Sequence, residues 1–167
     1  MVESKYEKFI CRKQAIIKGV DSQGLIYEVP EKGKIPPRSN ENTGPRVIQF
    51  SKDYVREAIS GLEYGFITGN TIIGDGHDFS AHKHDFSEMF LFLGTDPNDT
   101  SYLGAEIEFW LDEGENLEKI VLDTSSGVYV PPGVGHFPLI CRNFEKTIMM
   151  MVIAINHVNK SEPVLRQ

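Results

Sequence analysis

The chain has only two cysteines in 167 residues, Cys11 and Cys141, far apart in sequence and forming no CxxC pair. That placement excludes a thiolate zinc knuckle and offers no disulfide framework, so a reduced thiol pair is expected. Cations are scarce as well: 17 Lys and Arg stand against 24 Asp and Glu, a net charge of -7, and no basic block occurs. Nucleic-acid affinity is built largely from cation contacts to phosphate, so no nucleic-acid partner is expected. Long apolar runs are also missing. The most apolar stretch, IMMMVIAI from Ile148 to Ile155, falls well short of the roughly 20 residues a membrane-crossing helix needs. The N-terminal MVESKYEKFICRK mixes charge with apolar residues, where a secretory signal requires an unbroken apolar segment. These absences predict a cytoplasmic protein with no membrane partner.

What is present is ordinary globular composition, 40% hydrophobic and 25% charged, in a length that suits one domain with one core. Residues 1–62 read as an N-terminal extension packed on that domain. They contain a strand-like IYEV near Ile26, the polar loop EKGKIPPRSNENTGPR and one short helix. The helix is predicted from Ser51 as cap, Asp53 in the first turn, Val55, Ala58 and Ile59 on one face, and Gly61 as terminator. From residue 63 to 160 short β-type runs dominate, separated by GDG, TDPND, DEGEN and PPG, which indicates an all-β sandwich or barrel. Residues 161–167 read as a tail. The clearest hairpin is AEIEFWL–DEGEN–LEKIVL, with Glu106, Glu108 and Trp110 on one face and Ile107, Phe109 and Leu111 on the other.

The chemistry-bearing stretch is AHKHDFSEMF, residues 81–90. In a strand, residues i and i+2 point the same way, so His82 and His84 can present two imidazoles to one point while Lys83 faces away. Glu88 follows after a gap short enough to return a carboxylate to the same region, although parity alone does not fix its side. A further histidine, His136, follows the turn VPPGVG at the start of another strand. A zinc-hydrolase HxHxD pattern would need aspartate at position 86, where Phe86 stands.

The stretch GHDFSAHKHDFSEMFLFLG resembles the first cupin motif through Gly76, His82, His84, Glu88 and Gly94, and VPPGVGH resembles the core of the second through Pro131, Gly133 and His136. The resemblance spans a little over a third of the chain. It implies a double-stranded β-helix, or jelly roll, with His82, His84, Glu88 and His136 as ligands of one divalent metal. There are departures: Ser125 stands where the family has a glycine, Gly127 is displaced by two, Ile140 replaces an asparagine, and Glu88 to Gly94 is one residue short. These concern turns and packing. The segment GTDPNDTSYLGAEIEFW between the motifs looks like one found in bacterial cupins of unassigned function.

Three imidazoles and a carboxylate form a borderline N/O ligand set that suits Fe, Mn, Ni, Co, Zn or Cu as a divalent ion. In an octahedral ion it leaves two positions for a small polar or anionic ligand. A metal-dependent enzyme, either an isomerase or lyase or a dioxygenase, is the favoured expectation, beside a non-catalytic binding or sensing cupin. Arg142 shares the expected inward parity of His136 and could pair with a substrate carboxylate. Tyr64, Phe66 and Thr68 share one face of YGFITGN and could line the cavity. Glu106 and Glu108 are candidate bases only if their face is the inner one. His77 and His157 carry no assignment. Because TIMMMVIAI is apolar at both parities, it needs cover on both faces; the barrel supplies one, and a second subunit or the N-terminal zone the other. The resemblance to cupins, which often pair through such sheets, implies a homodimer.

Overall fold

Alternation of apolar and polar residues gives most of the chain its strands. A computed structural model describes residues 5–11, 15–21, 24–28, 43, 47–51, 55, 57–74, 81–156 and 162–163. In chain order the strands are β1 (Ala15–Asp21), β2 (Gly24–Glu28), β3 (Val47–Phe50), β4 (Ser60–Ile67), β5 (Thr71–Ile73), β6 (His82–Lys83), β7 (Ser87–Gly94), β8 (Tyr102–Leu111), β9 (Glu118–Thr124), β10 (Ser126–Val130), β11 (His136–Arg142), β12 (Ile148–Ile155) and β13 (Glu162–Pro163). They form a seven-stranded sheet ordered β10-β7-β12-β4-β3-β1-β2 and a six-stranded sheet in which β13-β6-β11-β8-β9 run in order and β5 also pairs with β11. All named pairings are antiparallel.

The expected helix over residues 51–61 does not form among the described residues. Val55 N–H donates to the Ser51 carbonyl and Ala58 N–H to that of Val55, which makes a turn. Ser60 and Gly61 already belong to β4, where continuous pairing with β12 overrides the weak local helix signal. Residues 52–54 and 56 of that segment lie outside the described residues. The helical turns that are described are short 3-10 segments, Glu7–Phe9 and Gly114–Asn116.

The two sheets face each other across one core. Phe90 and Phe92 of β7, Ile148, Met150 and Val152 of β12, and Ile67 of β4 meet Ile107 and Phe109 of β8, Leu139 and Cys141 of β11, and Ile73 of β5. A fully buried aliphatic or aromatic side chain contributes about 1.5–3 kcal/mol, so this shared layer ties the sheets together. Burial pushes the Cys141 thiol up to about 11, which keeps it an inert core group.

The hairpin read from AEIEFWL and LEKIVL has the expected strands and faces. Leu111 pairs with Glu118 and Ile107 with Leu122, and Ile107 and Phe109 are fully buried while Glu106, Glu108 and Trp110 are partly exposed. One of the motif's matches and one of its departures acquire physical reasons. A Cβ on Gly94 would collide with the Tyr102 carbonyl, so only glycine fits there. Ser125 accepts a hydrogen bond from the Gly94 N–H at 3.0 Å, so its hydroxyl holds the end of β7.

Candidate metal centre

Three local devices bring the polar residues together. β6 and β11 pair with His82 directly opposite His136, so two imidazoles start from adjacent positions on the six-stranded sheet. The turn before β11 is built on Gly133, whose φ of 82° favours glycine, and its N–H donates to the His84 carbonyl at 2.7 Å. That bond ties the second motif to the first. Glu88 enters from the facing sheet, on the row that it shares with Val130 and Ala154.

The imidazoles are held by stacked aromatic rings. Phe86 lies against His84 with centroids 4.3 Å apart and planes 18° apart, and Phe137 lies against His82 at 5.6 Å and 22°. The residue that breaks the HxHxD pattern therefore serves as packing for a histidine. His136 is buried beside Phe90 and Phe137.

The side-chain ligand atoms of His82, His84 and His136 all lie within 4.8 Å of one another. Glu88 Oε2 lies 3.2 Å from His84 Nε2 and 3.0 Å from His136 Nε2. These approaches have hydrogen-bond length without hydrogen-bond alignment, and all three atoms are buried without a hydrogen-bond partner. Leaving such atoms unsatisfied costs about 1–3 kcal/mol each. A shared cation removes that cost. Two ligand atoms about 2.1 Å from one ion and at right angles to each other stand about 3.0 Å apart, which is the spacing seen here. Burial alone would push the Glu88 carboxyl up, but the facing His136 and His84 imidazoles outweigh it and hold the carboxyl well below the usual carboxylate range. The residues thus fit a divalent ion: three imidazoles and one carboxylate bring four ligand side chains to one buried point.

The other candidates lie elsewhere. Arg142 does not share the inward parity of His136. The register of β11 against β8 shifts between His136 and Leu139, at Phe137 with its φ of 78°, so Leu139 and Cys141 turn inward and Arg142 outward. Its side chain is 55% exposed and lies 3.3 Å from Glu108, which Lys119 also approaches at 3.6 Å. Glu106 and Glu108 accordingly sit on the outer face, away from the core. Tyr64 and Phe66 pair with Met151 and Met149, the half-buried outer row of β12, and Thr68 lies exposed beyond the end of β4. None of the three is on the inner face.

The inward positions of β4 are instead Gly61, Glu63, Gly65 and Ile67, opposite Ala154, Val152, Met150 and Ile148. Glu63 was not legible as an inner residue, because charged residues usually mark the solvent side. Its signal was its parity with Gly65 and Ile67. Gly76, His77 and His157 lie outside the described residues.

No protein-family model and no curated protein matches the sequence. Solved structures do match the fold. Oxalate oxidase superposes with a TM-score of 0.51 at 10% identity, covering 90% of this chain and 77% of its own. Vicilin from Corylus avellana (hazelnut) superposes with a TM-score of 0.50 at 10% identity, covering 71% of this chain and 31% of its own. A cupin-2 domain from Rhodospirillum rubrum gives 0.43 at 10% identity, covering 81% of this chain and 72% of its own. Against three other matched structures this chain spans 64%, 44% and 61% of their length. The fold is that of the cupins, an antiparallel jelly roll. Within it, this chain carries a three-histidine cluster of the kind that binds a divalent metal.

Proposed function

We propose that the protein is a metal-dependent enzyme acting on a small polar or anionic molecule, by isomerase, lyase or dioxygenase chemistry. The observation that carries the reading is the convergence of His84 Nε2, His136 Nε2 and Glu88 Oε2 in a buried site beside His82. When bound, a divalent Fe, Mn, Ni, Co, Zn or Cu ion supplies Lewis acidity and, beyond four protein ligands in octahedral coordination, two exchangeable positions. His82, His84, His136 and Glu88 hold that ion.

The chain's own residues set what can approach. Glu88 contributes one negative charge against two positive ones, so the loaded site keeps a net positive charge and favours carboxylates, enolates or similar anions. Phe86, Phe90 and Phe137 surround the imidazoles with apolar surface, which excludes water and strengthens each electrostatic contact inside. Oxalate oxidase, whose name gives it a small dianion to act on, supports the same substrate class through its fold likeness. A non-catalytic binding or sensing role is the second reading. It is favoured by the outer placement of Glu106 and Glu108, the two carboxylates weighed as bases. The proposal includes a cytoplasmic homodimer, with the apolar outer row Met149, Met151 and Ile153 of β12 turned towards the second copy.

The test is to incubate metal-loaded and metal-free protein with a panel of small hydroxy-, keto- and dicarboxylates and to follow each compound by NMR. Consumption of one compound by the loaded protein alone supports the enzyme. Binding of a compound with none consumed overturns it in favour of the binding protein.

A further inference from the structure

Beside the centre, β11 breaks the alternation of a strand. His136 and Phe137 are both buried, where a regular strand would turn one of two successive side chains outward. The break is a bulge: the pairing with β8 shifts between His136 and Leu139, and Phe137 takes a φ of 78°. For a bulky side chain that left-handed conformation is strained, and it persists only where the surroundings impose it.

Five neighbours impose it here. Phe90 and Phe109 meet the Phe137 ring edge-on, each with centroids 5.7 Å away and planes 84° and 73° apart. The ring's face lies against His82, and the His136 imidazole stands 5.2 Å away. The fifth neighbour is Gly74, which is buried, has a φ of 79° and directly follows Ile73, the partner of Leu139. A Cβ on Gly74 would stand 2.8 Å from the Phe137 Cβ, 3.0 Å from its Cγ and 3.1 Å from its Cδ1, closer than real side chains come. The side chain that Gly74 lacks is the room in which Phe137 sits.

Resting on the metal-centred reading above, we propose that Gly74 and Phe137 are positioning residues of the centre. The bulge lets β11 present His136 to the centre while Leu139 and Cys141 still fill the core, and the ring sets the plane of the His82 imidazole. Gly74 touches none of the ligands and acts through Phe137. A metal-ligating imidazole is ordinarily aligned by a hydrogen bond to its second nitrogen. Neither nitrogen of His136 has a hydrogen-bond partner among the described residues, so packing takes over the alignment there.

The test compares two alanine substitutions that create the same kind of clash. Gly104 also has a positive φ, 80°, and a Cβ there would come within 2.8 Å of the Lys146 Cβ. It lies seven residues along β8 from Leu111, the partner of His136, and so about 24 Å away. Full-length parent, Gly74→Ala, Gly104→Ala and Phe137→Leu are titrated with cobalt(II) against a competing chelator, and the visible ligand-field bands and the metal-free Tm are recorded. Both alanine variants are expected to lose thermal stability. Gly74→Ala alone of the two is expected to bind cobalt about 10–100-fold more weakly, the scale of losing a group that orients a ligand, with shifted bands. Phe137→Leu keeps apolar bulk, loses the ring and is expected to follow Gly74→Ala. Parent-like affinity and bands in Gly74→Ala, or an equal change in Gly104→Ala, overturns this inference alone. Should Gly74→Ala not fold, Phe137→Leu decides, and parent-like cobalt binding in it overturns the inference. Failure of the parent to bind cobalt overturns the metal-centred reading and this inference with it.

Discussion

Replacing Glu88 by Gln removes the one anionic ligand while keeping its shape, and its effect on metal-dependent stability follows from the site. A ligand that binds only the folded state stabilises it by RT ln(1 + [L]/Kd), about 2.7 kcal/mol at 100 times Kd. For a domain of this length each kcal/mol moves Tm by about 2–4 °C, so metal should raise the parent's Tm by about 5–11 °C. Oε2 of Glu88 approaches two of the three imidazoles within 3.2 Å, so its loss affects the centre directly. If that loss weakens binding a hundredfold, worth about 2.8 kcal/mol, the same metal concentration equals the new Kd. The stabilisation then drops to about 0.4 kcal/mol, a shift of about 1–2 °C. Differential scanning fluorimetry of metal-free protein with and without added metal measures both shifts. An equal metal-induced shift in parent and Glu88→Gln would refute the placement of Glu88 in the ligand set.

Further outcomes follow from the same geometry. Acid should release the metal, because imidazole and carboxylate ligands must be deprotonated to coordinate it, so metal content after equilibrium dialysis should fall as the pH is lowered. The Glu88 carboxyl, held below the usual carboxylate range by the facing imidazoles, keeps its charge until the pH falls through its own low value. Metal content indifferent to acid would contradict a site built of histidines and a carboxylate. Arg142→Ala should leave metal content unchanged and cost no more than about 1 kcal/mol, as expected of an exposed ion pair, and chemical denaturation with metal analysis checks both. Sedimentation velocity should give a dimer mass that Met151→Lys lowers to that of a monomer, whereas a monomer mass for the parent at all concentrations contradicts the dimer.

The parts of this molecule that the sequence revealed are those governed by strict alternation. AEIEFWL and LEKIVL alternate cleanly between a polar and an apolar face, so both their pairing and their inward residues could be read. His82 and His84 could be placed together because two residues separate like faces in any strand. Parity failed where the backbone departs from it or where the outer face is the more apolar one. At Phe137 a positive φ and a register shift reverse the parity of β11, and neither is visible in HFPLICR. In β4 the outer row, Leu62, Tyr64 and Phe66, is more apolar than the inner row, Gly61, Glu63, Gly65 and Ile67, so hydrophobicity pointed the wrong way. The helix expected at 51–61 rested on capping and dipole signals, each worth about 1 kcal/mol, and its expected end, Ser60 and Gly61, is taken by β4, which pairs with β12 along its whole length.

The central claim is that His82, His84, Glu88 and His136 hold one divalent transition metal. The most direct measurement is the elemental metal content of protein purified without chelator or affinity-tag nickel, beside His84→Ala. The account predicts near-stoichiometric iron, manganese or another such ion in the parent and loss of most of it in the variant. No metal in either protein, or full occupancy in the variant, would contradict it.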